Sequence, residues 1–139
     1  DQVLVEKSVK PRELEVAAYE MNGELYVIKP GEVIAPDGTF YSYDEKYSSA
    51  CHSLTEVEAK DLTPEPVETI KQESETVFKQ MNLRHLSRID FFLTEDGEIY
   101  LNEVNTFPGM TPISMFPKML QNNGHKFHEF LEGCINSAV

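Results

Sequence analysis

Positive charge is scarce in this sequence. Its 139 residues carry 12 Lys and Arg against 24 Asp and Glu, a formal net charge of -12. Nucleic-acid binding depends on Lys and Arg displacing counterions from phosphates, so this balance argues against a nucleic-acid partner. The same shortage argues against docking on an anionic membrane surface. No apolar run approaches the roughly 18–20 residues that span a bilayer, and no signal-peptide pattern is present; both fit a cytoplasmic protein. The two cysteines, Cys51 and Cys134, have no motif spacing. That excludes a disulfide framework and reads as free thiols of a reducing compartment. The four histidines, His52, His85, His125 and His128, lack metal-ligand spacing and read as surface residues. Internal repeats, low-complexity tracts and flexible linkers are missing too. An initiating Met is also missing: the chain starts Asp1-Gln2-Val3-Leu4-Val5 and runs straight into a strand-like pattern, as expected of a piece of a longer protein.

What is present is a foldable domain. Hydrophobic residues make up 40% of the chain, enough for a real core, and its length suits one compact domain. An acidic chain can still bind ATP if a divalent cation stands between its carboxylates and the phosphates. Residues 3–5 form a short apolar run. Strands are expected at 13–20 and 24–28, flanking Asn22-Gly23, a type I′ hairpin signal. Residues 36–66 break the pattern with Asp37-Gly38, several Ser, three Tyr and Pro, and read as a long surface loop. Thr63-Pro64 looks like a helix start, followed by Val67, Ile70, Val77, Phe78 and Met81 at helical spacing. Two strands, 86–93 and 98–105, flank Thr94-Glu95-Asp96-Gly97. A helix over 112–122 and a closing amphipathic helix marked by Phe127, Phe130, Leu131, Cys134 and Ile135 complete the pattern. This irregular alternation predicts an α+β fold with a mainly antiparallel sheet flanked by helices.

The most informative segment is the second hairpin. Side chains alternate faces along a strand. Arg88, Asp90 and Phe92 therefore share one face, as do Leu101, Glu103 and Asn105. If Asp96-Gly97 forms a two-residue turn, Glu95 pairs with Glu98; counting back, Asp90 lies opposite Glu103 and Arg88 opposite Asn105. Taken singly, each reads as a solvated residue on an open sheet face. Two opposed carboxylates repel, however, and a strand pair would not choose them for stability. A shared Mg²⁺, held by one or two carboxylates plus substrate phosphates, resolves the conflict. Asn105 adds a neutral oxygen, and Arg88 a fixed positive charge for phosphoryl oxygens.

Arg88-Ile89-Asp90-Phe91-Phe92, then Tyr100-Leu101-Asn102-Glu103-Val104-Asn105-Thr106-Phe107-Pro108-Gly109-Met110-Thr111 and Ser114-Met115-Phe116-Pro117-Lys118, resembles the C-terminal signature of D-alanine–D-alanine ligases, members of the ATP-grasp superfamily. Val5-Glu6-Lys7 with Arg12-Glu13-Leu14-Glu15-Val16 is similar to that family's adenine and ribose segment. Phe40-Tyr41-Ser42-Tyr43-Asp44-Glu45-Lys46-Tyr47 is similar to its mobile active-site loop.

The resemblance implies roles. Residues 1–139 would be the C-terminal ATP-grasp domain, lacking the family's N-terminal domain and part of the central one, with 36–62 as an active-site lid. Asp90, Glu103 and Asn105 would hold two Mg²⁺ ions (or Mn²⁺), with Glu103 touching both. Glu6 and the backbone of Lys7, Ser8 and Val9 would contact adenine, Glu13 the ribose, and Asn102 the nucleotide beside Glu103. Lys46 would reach the transferred phosphate. Arg88 would stabilise the acylphosphate and the oxyanion, and the N–H of Gly109 would help form the oxyanion hole. Ser114 and Met115 would receive the carboxylate of the second D-alanine, and Tyr47 would close the lid. The implied reaction joins two D-alanines through an acylphosphate, at the expense of ATP, for peptidoglycan synthesis; the alternatives are another ATP-grasp carboxylate–amine ligase, of D-Ala-D-Ser or D-Ala-D-lactate type, and a catalytically silent ATP-grasp-like domain. Tyr47 and Met115 fit the D-alanine pattern rather than the D-lactate or D-serine one. The resemblance also allows a homodimer of the longer protein, and it implies that this chain alone is inactive or nearly so.

Without the resemblance each residue has an ordinary reading. Glu6 and Glu13 could be exposed strand carboxylates, Lys46 and Tyr47 loop residues, Gly109 a turn glycine after Pro108, and Ser114 a helix N-cap.

Overall fold

The computed structural model describes residues 3, 5, 7–34 and 54–137. The strands are β1 (Arg12–Met21), β2 (Glu24–Val27), β3 (Gly31–Ile34), β4 (Leu54–Glu56), β5 (Leu86–Leu93) and β6 (Ile99–Asn105). The helices are α1 (Pro64–Gln80), α2 (Met115–Asn122) and α3 (Phe127–Ser137). The strands form one sheet in the order β4-β3-β1-β5-β6, with β2 also paired to β1. Every described pairing is antiparallel, so the predicted α+β class holds.

β1 is the centre of the sheet, and its sequence shows why. Leu14 to Tyr19 are all buried, with α1 over one face and with α2 and α3 over Ala17 and Tyr19 on the other. On one face Leu14, Val16 and Ala18 pack with Ile89, Phe91 and Leu93 of β5 against Ile70 and Phe78 of α1. On the other, Ala17 and Tyr19 pack against Met115, Phe116, Met119 and Leu120 of α2 and Phe130 of α3. Burying each such large apolar side chain contributes about 1.5–3 kcal/mol. Strand alternation puts Glu13 and Glu15 on this second face too, beyond the end that the helices cover. The fold thus leaves a carboxylate-bearing strip of sheet beside a packed core.

Local rules account for the joints. Asn22 (φ 55°) and Gly23 (φ 81°) both lie in the left-handed region, as the type I′ turn requires. α1 starts at Pro64 after Thr63, as expected. Met81 ends it as the exposed C-cap rather than joining the core. Gly31 permits close packing: a Cβ there would stand 2.6 Å from Met115 Cε and 2.8 Å from the Glu56 carbonyl oxygen.

Several expectations need correction. Val3 and Val5 lie outside any strand and are exposed. β3 was not expected; it follows β2 after only three residues, around Pro30. Within the expected 36–66 loop, Leu54–Glu56 pairs with β3 as β4; residues 36–53 of that loop lie outside the described set. α2 begins at Met115 rather than at 112, because Ser114 is still extended. In α3, Leu131 and Ile135 are exposed, and only Phe130 is fully buried, with Phe127 and Cys134 beside it. His85 and His125 are half-buried rather than on the surface: Nδ1 of His125 lies 2.7 Å from the Tyr19 hydroxyl, among Tyr19 and Tyr26. Cys134 is a free thiol, as expected. No helix among the described residues is long and apolar enough to cross a membrane.

Candidate functional site

The β5–β6 ladder sets Asp90 opposite Glu103 and Arg88 opposite Asn105, as the sequence predicts. The route to that register is different. The turn is not a two-residue one: Leu93 pairs with Ile99, and the Thr94 N–H donates to the Glu98 carbonyl at 2.9 Å. Gly97, at φ 85°, completes a three-residue loop of the kind that ends in a left-handed residue. That turn displaces the register by one. A β-bulge between Phe91 and Asp90 restores it, with Asn102 as the extra residue of β6. The bulge also redistributes side chains. Leu101 pairs with Phe91 and borders a groove with Val77 of α1, so it does not share the face of Glu103 and Asn105. Asn102 instead lines a cleft with Glu13, Glu15, Asp90 and Phe92.

β1 continues the arrangement. Its register with β5 sets Glu15 opposite Asp90 and Glu13 opposite Phe92. Three carboxylates, Glu15, Asp90 and Glu103, thus lie in one row across three neighbouring strands. Asp90 and Glu15 are each only 7% exposed, while Glu103 is open to solvent. Arg88 ties two members of the row, Asp90 and Glu15. Its Nε and Nη2 donate to Oδ1 and Oδ2 of Asp90, both at 2.8 Å, a bidentate fork. Its Nε also lies 3.4 Å from Glu15 Oε2. Asn105 Nδ2 donates to Asp90 Oδ2 at 3.0 Å, and the Ser87 hydroxyl donates to the Asn105 carbonyl at 3.1 Å. Burial alone would lower the Arg88 pKa; the hydrogen bonds to Asp90 and the fields of Glu15, Asp90 and Glu103 outweigh it and raise the pKa above its ordinary value. Arg88 is therefore a permanent cation here.

The donor set suits a hard divalent ion. Asp90, Glu103 and Asn105 offer oxygens and no sulfur or imidazole. Among the described residues no group of three or more His, Cys, Asp or Glu is arranged to hold a metal unaided. Two carboxylates and an amide match the Mg²⁺ pattern in which substrate phosphates complete the shell.

The other expected residues fall as follows. Glu13 and Asn102 join the cleft. Lys7 lies near the hairpin tip, where Asp96 has its carboxyl pKa lowered chiefly by a hydrogen bond from Thr94 and slightly by Lys7. Ser8 is exposed and Val9 half-buried. Gly109 and Ser114 meet: a Cβ on Gly109 would stand 2.8 Å from Ser114 Oγ. Ser114 occupies the N-cap position of α2, but its hydroxyl does not cap the helix. It accepts from the Thr111 N–H at 3.2 Å and lies 2.8 Å from Thr111 Oγ1, which ties the 109–114 loop together. The Met115 side chain is buried in the core, so only its backbone is available to a substrate. Glu6, Lys46 and Tyr47 lie outside the described residues. Glu15 is the residue that sequence reasoning missed. Its signal was a carboxylate between Leu14 and Val16, but its position needs the β1–β5 register, which no local motif encodes.

Residues 1–136 match the family model described as D-ala D-ala ligase C-terminus. A D-alanine–D-alanine ligase of Vibrio campbellii is 86% identical over 139 residues, which is 100% of this chain and 42% of that protein. The solved D-alanyl-alanine synthetase A of Vibrio cholerae is 68% identical, with a TM-score of 0.85 over 95% of this chain and 40% of that one. A D-Ala:D-Ser ligase from Enterococcus faecalis is 32% identical, with a TM-score of 0.75 over 96% of this chain and 38% of that one. The chain spans 42% of the length of the curated relatives it matches.

Proposed function

The chain belongs to the family of D-alanine–D-alanine ligase C-terminal domains, and from that premise we propose that it is the ATP- and Mg²⁺-binding part of such a ligase. The observation that carries the reading is the opposed pair Asp90 and Glu103, with Arg88 forked onto Asp90 and with Asn105 and Asn102 alongside. The longer protein would phosphorylate the carboxylate of one D-alanine with ATP. The amine of a second D-alanine would then attack the acyl carbon, releasing phosphate and the dipeptide. It would work in the cytoplasm, supply peptidoglycan synthesis and form a homodimer.

Phosphoryl transfer needs mostly positioning and charge neutralisation. Bound Mg²⁺, one ion or two, would offset phosphate charge; Asp90, Glu103 and Asn105 would hold it. Arg88 would face the transferred phosphoryl group and then the oxyanion, and the Gly109 N–H would be a second donor to that oxyanion. Losing one such donor typically costs ~3–4 kcal/mol of transition-state stabilisation. Glu13 would bind the ribose, Asn102 the nucleotide, and the backbone of Lys7, Ser8 and Val9 the adenine. Ser114, with the Met115 backbone, would receive the second substrate's carboxylate. Glu6, Lys46 and Tyr47 take their roles from the resemblance, as does the 36–62 segment as a lid that keeps water from the acylphosphate.

The test is product formation by the full-length protein given ATP, Mg²⁺ and D-alanine, with D-serine and D-lactate as competitors. The D-alanyl dipeptide as main product is expected. A preference for either competitor would overturn the substrate assignment. Absence of any D-alanine product would overturn the reading.

A further inference from the structure

We propose that Glu15 is a positioning residue for Arg88: it shares the guanidinium with Asp90 and draws it toward β1, clear of the cation that Asp90 and Glu103 would bind. This rests on the reading of Asp90 and Glu103 as the cation site.

Glu15 is out of place as a packing residue. It sits between Leu14 and Val16, both fully buried, and is itself only 7% exposed. A carboxylate in such a position is costly unless it is paired, and it faces a second carboxylate, Asp90, across the β1–β5 ladder. Opposed like charges destabilise a strand pair. Arg88 offsets part of both costs: its Nε lies 3.4 Å from Glu15 Oε2, an ion pair without a hydrogen bond.

Asp90 alone cannot serve both partners well. Its two oxygens already accept from Arg88 Nε, Arg88 Nη2 and Asn105 Nδ2. A carboxylate offers about four acceptor positions, so one is left. A cation arriving there would also meet the charge of the guanidinium. Glu15 and Glu103 lie on opposite sides of Asp90, on β1 and β6. The Nε that donates to Asp90 Oδ1 is also the atom 3.4 Å from Glu15 Oε2, so Glu15 attracts the guanidinium without taking its hydrogen bonds from Asp90. The row then divides: the guanidinium is held from the β1 side, and the cation takes the β6 side.

The test uses the full-length protein with a non-hydrolysable ATP analogue and Mn²⁺ as the probe, free Mn²⁺ being read by electron paramagnetic resonance. Glu15→Gln should weaken Mn²⁺ binding roughly 10-fold or more, the scale seen when partners of ligand residues are removed. The same substitution in an Arg88→Ala background should cause no further loss, since there is no guanidinium to hold. If Glu15→Gln does not fold, Glu15→Asp, which keeps the charge on a shorter arm, should give a smaller loss with the same dependence on Arg88. Unchanged Mn²⁺ affinity overturns the proposal, and so does an equal loss in both backgrounds, which would mean Glu15 acts directly on the cation. Asp90→Asn separates the levels. If it abolishes Mn²⁺ binding while Glu15→Gln does nothing, only this inference fails; if it leaves binding intact, the cation-site reading falls with it.

Discussion

Asp90 and Glu103 face each other across the β5–β6 ladder because two one-residue displacements cancel, one in the Glu95-Asp96-Gly97 loop and one at the Asn102 bulge. The bulge is therefore separable from the pairing. Removing one residue at the bulge leaves a regular ladder in which the same carboxylates meet.

Deletion of Asn102 should leave the domain folded and the Asp90–Glu103 pair intact, while taking an amide out of the cleft proposed to bind the nucleotide. Thermal unfolding and the KM for ATP of the full-length protein check this. A KM raised several-fold with an intact melting transition is expected. Loss of folding would show that the bulge itself is needed.

The hairpin also shows how far the sequence could be read. Period-two alternation located β5 to the residue, and Asn22-Gly23 announced the β1–β2 turn, because both signals are local. The opposed carboxylates were legible from turn counting, although the turn chemistry was not: Gly97 adopts a three-residue loop, and the correction sits five residues further along the chain. β3 and β4 are short, and their pairing is set by β1 and by each other, so no local period marks them. Glu15 was invisible for the same reason: only the β1–β5 register brings it to Asp90. His125 looked like a surface residue because nothing near it in sequence foretells Tyr19, 106 positions away.

Arg88→Ala should lower kcat of the full-length protein far more than it raises KM for ATP, by about 100-fold or more if one oxyanion donor is lost. Steady-state kinetics decide it. A large KM effect with kcat retained would remove Arg88 from the transition state. Its charge will not add pH dependence. A raised guanidinium pKa contributes stability that is complete below the ordinary, strongly alkaline value and is lost only above it, so the charge of Arg88 is constant from pH 5 to 9.

Gly109→Ala should act through Ser114. The new Cβ would meet Ser114 Oγ at 2.8 Å, so the hydroxyl must rotate away from Thr111. Gly109→Ala and Ser114→Ala should each reduce kcat/KM for D-alanine, and the double variant should be no worse than the more severe single one. Full additivity in a double-mutant cycle would show that the two act independently.

Tyr19 predicts an alkaline limit to stability. Burial raises its phenol pKa, against a lowering by the hydrogen bond from Asn123 and with a small rise from Tyr26. A raised pKa means stability present below the unfolded value of 10.0 and lost as pH rises above it, because the unfolded chain ionises first. Urea unfolding of the full-length protein between pH 8 and 11 should show a fall that Tyr19→Phe flattens. The same substitution should cost about 1 kcal/mol near neutrality through its lost hydrogen bonds to His125 and Asn123. An unchanged alkaline slope would place the titration elsewhere.

On the proposed reading, Asp90, Glu103 and Asn105 hold the divalent cation that offsets the charge of the transferred phosphate, and Arg88 faces that phosphate. The most direct measurement is ADP release by the full-length protein with D-alanine, with L-alanine as control, for the wild type and Glu103→Gln side by side. The account predicts release with D-alanine alone, and a fall of at least roughly 100-fold in Glu103→Gln, as for loss of a principal charge-stabilising group. Release that ignores the alanine's configuration, or that survives Glu103→Gln unchanged, would contradict it.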